Sequence, residues 1–300
     1  MKIKRYNTMK IMKLLSLALL SLMVSCGEYY GYDADTAESP YKPIENVRMV
    51  KTLKTTNSVD GRDYSWEHNF TYDAQNRIKS INSQIVHHRE VTSIDGIKRY
   101  YICNVSSTAD YYYMGNNIDV RYNIVWEHPG HPDWDLDTNG TDKGVFDNNG
   151  LLLKFASMDF EYSFMTLNSV LVDGGYRYDL TRDRNSNMTG YRLYNTNTEK
   201  DSLVVDNSNK YRYSARKNNT NFDFSGYFGY WGIERELVPN STPYYASYHL
   251  AAFGMFGTGG SHLPLGESSS DYGVWEFDEE GSPLVFVDAT GRRTIVSYWE

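Results

Sequence analysis

A five-residue turn word, repeated along the chain, limits what this sequence can fold into more than any other feature. An apolar or aromatic residue is followed by Asp, two further residues, and Gly or Asn. The word stands at 72–76 (YDAQN), 146–150 (FDNNG), 205–209 (VDNSN), 277–281 (FDEEG) and 287–291 (VDATG). An Asp carboxylate at the first turn position accepts hydrogen bonds from backbone N–H groups further along the turn. Gly or Asn tolerates positive φ, so the chain can bulge and reverse. The flanks alternate as strands do: Trp275 and Phe277 point one way, Val274 and Glu276 the other, and Leu284 and Phe286 oppose Val285 and Val287. Asp60-Gly61, Asp95-Gly96, Asn139-Gly140 and Asp173-Gly174-Gly175 add short-hairpin signals. Trp-Glu pairs at Trp66, Trp126, Trp275 and Trp299 suit strands on which the Trp packs and the Glu meets water.

The spacing of these signals is irregular, which argues against a solenoid. It predicts an all-β fold: a large antiparallel meander of about a dozen or more strands, forming a curved sheet or barrel-like shell as a single domain over residues 46–300. An aromatic fraction of 15%, including 27 Tyr, agrees with strands. One stretch breaks the pattern. Ser241 or Thr242 can cap, Pro243 suits a first helical turn and Gly257 a stop, which predicts one helix near 243–256. It is apolar nearly all round, so it is expected to be buried against or inside the sheet.

The first 25 residues read as a lipoprotein signal peptide. Lys2, Lys4, Arg5, Lys10 and Lys13 precede an apolar run of 11 residues from Leu14 to Val24. That run is too short for a membrane span, which needs roughly 20. It ends in Met23-Val24-Ser25-Cys26, which resembles a bacterial lipobox and implies lipidation of Cys26. Residues 26–45 are acidic, carry Pro40 and Pro43, and read as a flexible tether. The chain has 30 basic and 38 acidic side chains; the five basic groups of the signal leave with it, taking the formal charge from −8 to −13. Such a field repels nucleic acid and anionic lipid, so membrane attachment falls to the lipid on Cys26. With Cys26 acylated, Cys103 has no disulfide partner and reads as a small buried side chain.

Three features carry a family resemblance: residues 213–224 (YSARKNNTNFDF), the helical stretch running into a Gly-rich loop ending Leu263-Pro264, and the closing Phe277–Gly281 hairpin. With the Tyr-Asp turns, which resemble YD-type repeats, they make the chain similar to an uncharacterised family of Bacteroidetes lipoproteins described as having a porin-like β-fold. The resemblance implies that fold and an outer-membrane, lipid-anchored address on the cell surface or periplasmic face. It implies no activity. The acidic tether resembles a surface-export signal of that phylum. Asp35-Thr36-Ala37 and Asp201-Ser202-Leu203 resemble its O-glycosylation motif.

No nucleophile elbow, zincin motif, phosphate loop, dinucleotide fingerprint or paired C-x-x-C is present, so no catalytic residue and no cofactor is expected. His128-Pro129-Gly130-His131-Pro132-Asp133 has two imidazoles and reads as a proline loop more readily than as a metal site. Asp135, Asp137, Asn139 and Asp142 match the first half of a calcium loop, but Phe146 stands where the bidentate Glu is required. The aromatic excess suggests a non-enzymatic domain that binds an extracellular glycan or peptide on a concave sheet face, with no nucleic-acid partner. The alternatives are a structural or assembly partner of an outer-membrane complex, and a cell-surface glycan hydrolase needing two spaced carboxylates.

Overall fold

The computed structural model describes residues 39–43, 47–198, 200–228, 249–256, 262–266 and 272–300. The signal peptide, Cys26, the 35–37 motif and residues 243–248 of the expected helix lie outside them. Among the described residues, seventeen strands run in chain order: β1 Val50–Val59, β2 Arg62–Tyr72, β3 Ile78–Thr92, β4 Lys98–Met114, β5 Asn117–Glu127, β6 Leu136–Phe146, β7 Leu152–Phe155, β8 Met158–Ser163 and β9 Thr166–Val172. They continue with β10 Tyr176–Arg182, β11 Met188–Asn195, β12 Ser202–Asp206, β13 Arg212–Lys217, β14 His262–Gly266, β15 Val274–Phe277, β16 Pro283–Val287 and β17 Arg293–Tyr298.

Fifteen of them form one antiparallel sheet in the order β12 through β1 and then β17, β16, β15. This is the expected meander, with the C-terminal hairpins lying against β1. Because direction alternates, the turns fall on two rims. The Asp73, Asp147 and Asp278 turns share one, here the entry rim. The β1–β2, β3–β4 and β5–β6 connections share the other, here the far rim.

The turn word works as local chemistry dictates. Asp73 Oδ1 accepts from the N–H of Gln75 and of Arg77, each at 2.9 Å. Asp147 does the same with Asn149 at 2.9 Å and Leu151 at 2.8 Å, and Asp288 with Thr290 at 2.9 Å and Arg292 at 3.0 Å. The last position of the word is left-handed in each, as at Asn76 (φ 61°) and Gly150 (φ 81°). A further copy sits at Asp183, bonded to Asn185 and Asn187, with Ser186 at φ 62° in the glycine position. The Asp206 copy makes no hairpin; β12 and β13 belong to different sheets. Asn139-Gly140 is also no turn. Both residues lie inside β6, paired with Asn123 and Tyr122. Gly140 is there for closeness: a Cβ would sit 2.5 Å from the Tyr122 hydroxyl oxygen.

Laid flat at about 4.8 Å per strand, such a sheet would be roughly 65 Å wide. Yet one buried cluster gathers Phe70 of β2, Phe160 of β8, Met188 of β11 and Trp275 of β15. The sheet therefore curls tightly, around a plug made of residues 220–228 and 249–256. Phe222 and Phe253 stand 5.3 Å apart, and each lies 5.4 Å from Phe70. Phe256 reaches Phe160 at 4.9 Å, and Phe224 reaches Trp275 at 5.0 Å. Among the described residues the sheet does not close by its own pairing. Instead the β13–β14 pair spans the seam: the Tyr213 hydroxyl donates to Met188 O at 2.7 Å on one side, and the Trp275 indole donates to Pro264 O at 2.7 Å on the other.

Two expectations change. The helix among the described residues is α1, Phe224–Tyr227, capped by Asp223. Residues 249–256 are a chain of tight turns, buried as expected but not helical: Phe253 N–H bonds His249 O, Gly254 N–H bonds Ala251 O, and Gly254 takes φ 74°. Tyr41, placed in the tether by its prolines, is buried. Its ring stacks between Tyr113 at 5.9 Å and Phe146 at 5.5 Å, and its hydroxyl donates to Phe253 O at 2.6 Å.

On β5 and β6 the outer row is mostly polar. Arg121 and Asn123 on β5, and Asp137, Asn139, Thr141 and Lys143 on β6, all face solvent. Arg121 or Lys143 held against lipid at mid-bilayer would each cost about 2–4 kcal/mol. On these two strands the interior row, with Ile118, Val120, Ile124 and Phe146, is the apolar one.

Candidate ligand-binding hairpin at the far rim

β2 pairs with β3 only as far as Ser65 and Val86, and β5 pairs with β4 only as far as Glu127 and Asn104. β3 and β4 continue together for six more pairs, from His87–Cys103 to Thr92–Lys98. At about 3.4 Å per residue the hairpin runs on roughly 20 Å past its neighbours' pairing. Its tip exposes apolar side chains among polar ones: Ile94 is fully exposed, with Ile97 at 52%, Ile102 at 48% and Tyr100 at 38%. Ordinary surfaces carry such residues singly; here they fall within nine positions of one projecting element.

Polar contacts stiffen it. Glu90 receives the Lys98 ammonium at 2.8 Å and the Tyr100 hydroxyl at 2.8 Å, and these two bonds hold its carboxyl below the usual range. The Arg62 guanidinium lies 3.8 Å from the Tyr100 ring centroid. On the other side the β5–β6 loop folds up against the hairpin base. The Asp135 carboxylate accepts from His128 N–H at 2.7 Å, and Pro132–Trp134 make one 3₁₀ turn. His131 stacks on Trp134 at 4.3 Å, Tyr101 meets both rings edge-on, and Arg89 lies 5.1 Å from the Trp134 centroid. The two imidazoles of this loop thus take part in ring packing. Cys103 lies beneath, buried, with desolvation raising its thiol to about 11; the reading as an inert buried side chain fits.

The calcium-loop residues do not converge. Asp137 and Asn139 sit on the outer row of β6, Asp142 on the opposite face, and Asp135 is engaged with His128. Among the described residues no three His, Cys, Asp or Glu side chains are grouped to hold a metal. Asp223 is a carboxyl raised above its ordinary range, through burial. Its Oδ1 accepts from Ser225 N–H at 2.8 Å, and a guanidinium, Arg182, rather than a second carboxylate is its charged neighbour.

No protein-family model matches the chain, and no curated protein does. Among solved structures it is similar to a porin-like protein from Bacteroides uniformis, with 10% identity and a TM-score of 0.43, over 84% of this chain and 99% of that one.

The aromatics expected to form a sugar-stacking face are mostly spoken for. On the concave side Phe222, Phe224, Phe253 and Phe256 fill the sheet and bury Phe70 and Trp275. On the outside, exposed rings carry cations: Arg62 over Tyr100, Arg121 over Tyr112 at 4.5 Å, and Lys51 over Trp299 at 4.7 Å. Sequence reasoning missed the hairpin as a site, although the run IDGI at 94–97, apolar on both sides of a turn, was a readable signal.

Proposed function

We propose that this protein is a non-enzymatic, outer-membrane binding protein, tethered by lipid on Cys26, that takes a protein or peptide partner at the β3–β4 hairpin. The observation that carries the reading is the overhang itself: Ile94, Ile97 and Ile102 exposed on a hairpin that outruns the strands beside it. Strands that run on past their neighbours' ladder pairing, with apolar side chains exposed on them, favour addition of an extended segment. A peptide is favoured over a glycan because cations already lie over Tyr100, Tyr112 and Trp299 on the outside, and the hairpin tip offers aliphatic side chains rather than open ring faces. The tether enters at Tyr41 on the entry rim, about 50 Å along β3 from the hairpin tip, so the hairpin would point away from the anchoring membrane.

A photo-crosslinker at Ile94 in cells should trap a specific protein, and Ile94→Asp with Ile97→Asp should abolish the adduct. Cys26→Ala should abolish labelling by radioactive fatty acid. A glycan-array signal that survives both hairpin changes would overturn the peptide reading. Turnover of a surface glycan, lost on removing one carboxylate, would overturn the non-enzymatic one.

A further inference from the structure

The β8–β9 connection breaks the chain's own turn rules. Ser163 pairs with Thr166, leaving Phe164 and Met165 as a two-residue loop. Both take left-handed backbone, with φ 49° and 66°. That conformation favours Asn-Gly or Asp-Gly, and Asp60-Gly61 meets the same demand between β1 and β2 with φ 51° and 73°. A bulky side chain there is strained, and strain kept in a fold points to a use. Phe164 is also completely exposed, and Met165 is 44% exposed.

The position supplies the occupant. The loop lies on the entry rim, two strands from the β6–β7 turn. Against that turn the incoming chain is seated: the Pro40 carbonyl and Tyr41 Cα crowd Gly150. Residues 26–38 precede this point, at most about 45 Å of extended chain to the proposed acyl group. Leu153 and Met114, both exposed, stand on the same rim. The charges on the strands and turns beside the loop, Glu161, Asp147 and Asp183 against Arg182 and Arg184, give no excess of basic groups, so contact with a bilayer here would be apolar.

We infer that Phe164 and Met165 form an interfacial membrane anchor that rests this rim on the bilayer carrying the Cys26 lipid. The inference rests on the lipid-anchored reading above. Aromatic and thioether side chains at the headgroup boundary add apolar burial to the acyl chains and fix the orientation of the domain. The far-rim hairpin would then be held outward.

The test uses the mature lipidated protein in phosphatidylcholine vesicles, with an environment-sensitive dye on Phe164→Cys or, separately, on Ile94→Cys. Cys103 is buried and Cys26 acylated, so the label is placed uniquely. Mass spectrometry of Cys26 first separates failure of lipidation from failure of this proposal. The dye at 164 should shift to the blue and be quenched by bilayer-borne quencher, while the dye at 94 stays aqueous. Equal responses at both sites, or no response at 164, would overturn the inference. In the non-acylated Cys26→Ser protein, Phe164→Asn with Met165→Gly should weaken vesicle partitioning by about tenfold or more, the scale of one buried Phe side chain. The same pair should raise Tm, because it relieves the left-handed strain. Unchanged partitioning in that stable variant would equally overturn it.

Discussion

Acidification from pH 7 to pH 5 should destabilise this fold through two imidazoles buried between plug and sheet. His68 of β2 and His249 of the plug face each other with ring centroids 4.9 Å apart, and Tyr227 stands 5.6 Å from each. His68 Nδ1 bonds the Ser83 hydroxyl at 2.8 Å; both nitrogens of His249 lack a hydrogen-bond partner among the described residues. Glu67, adjacent in sequence to His68, faces outward to Lys54 at 3.1 Å and compensates little. Burial lowers His68 from 6.5 to about 4, and burial and then His68 lower His249 well below its ordinary value. The unfolded chain therefore binds protons that the folded one refuses, so this stability is present above pH 6.5 and drains away as pH falls toward 4. Between pH 7 and pH 5, linkage gives about 2 kcal/mol for His68 alone, and His249 adds to the loss in the same direction. Even the first contribution is a sizeable share of the roughly 5–15 kcal/mol of a typical domain. The carboxylates held low, Glu90, Asp95, Asp206 and Asp278, titrate below this window, and Asp223, raised by burial, acts with the opposite sign, so the comparison with a His68 variant isolates the imidazole. Urea unfolding at both pH values measures the loss. His68→Asn, which keeps a partner for Ser83 but cannot ionise, should lose about 2 kcal/mol less on acidification than the parent. Identical pH slopes in parent and variant would refute the reasoning.

The turn word and the crowded glycine give two further tests. Asp147→Ala should cost about 1–3 kcal/mol in urea unfolding, because it strands the N–H groups of Asn149 and Leu151, and Asp147→Asn should cost less. Gly140→Ala should destabilise by about 1–3 kcal/mol by displacing the Tyr122 ring, which packs against both buried clusters, and the penalty should shrink when Tyr122 is also replaced by Ala.

The sequence alone determined the parts of this protein whose physics is local. An Asp carboxylate reaching its own backbone two and four residues on needs no distant partner. The turns at Asp73, Asp147, Asp278 and Asp288, and the antiparallel meander between them, are therefore legible in the residues themselves. The period-2 flanks likewise tell which residues share a face. Tertiary structure decided the rest, because it depends on segments far apart in sequence meeting in one interior. Asn139-Gly140 reads as a turn in isolation, but the ten-pair ladder with β5 carries the strand straight through it, and Gly140 leaves room for the Tyr122 ring. Residues 249–256 read as a helix by composition, but they turn repeatedly to fit Phe253 and Phe256 into a curled sheet. Tyr41 reads as tether, but Tyr113, Phe146 and the Phe253 carbonyl give it a buried seat. The number of rings that could stack on a sugar is plain from the sequence. Which of them the plug or a cation covers, and which stay open like Phe164, was set only when the sheet curled.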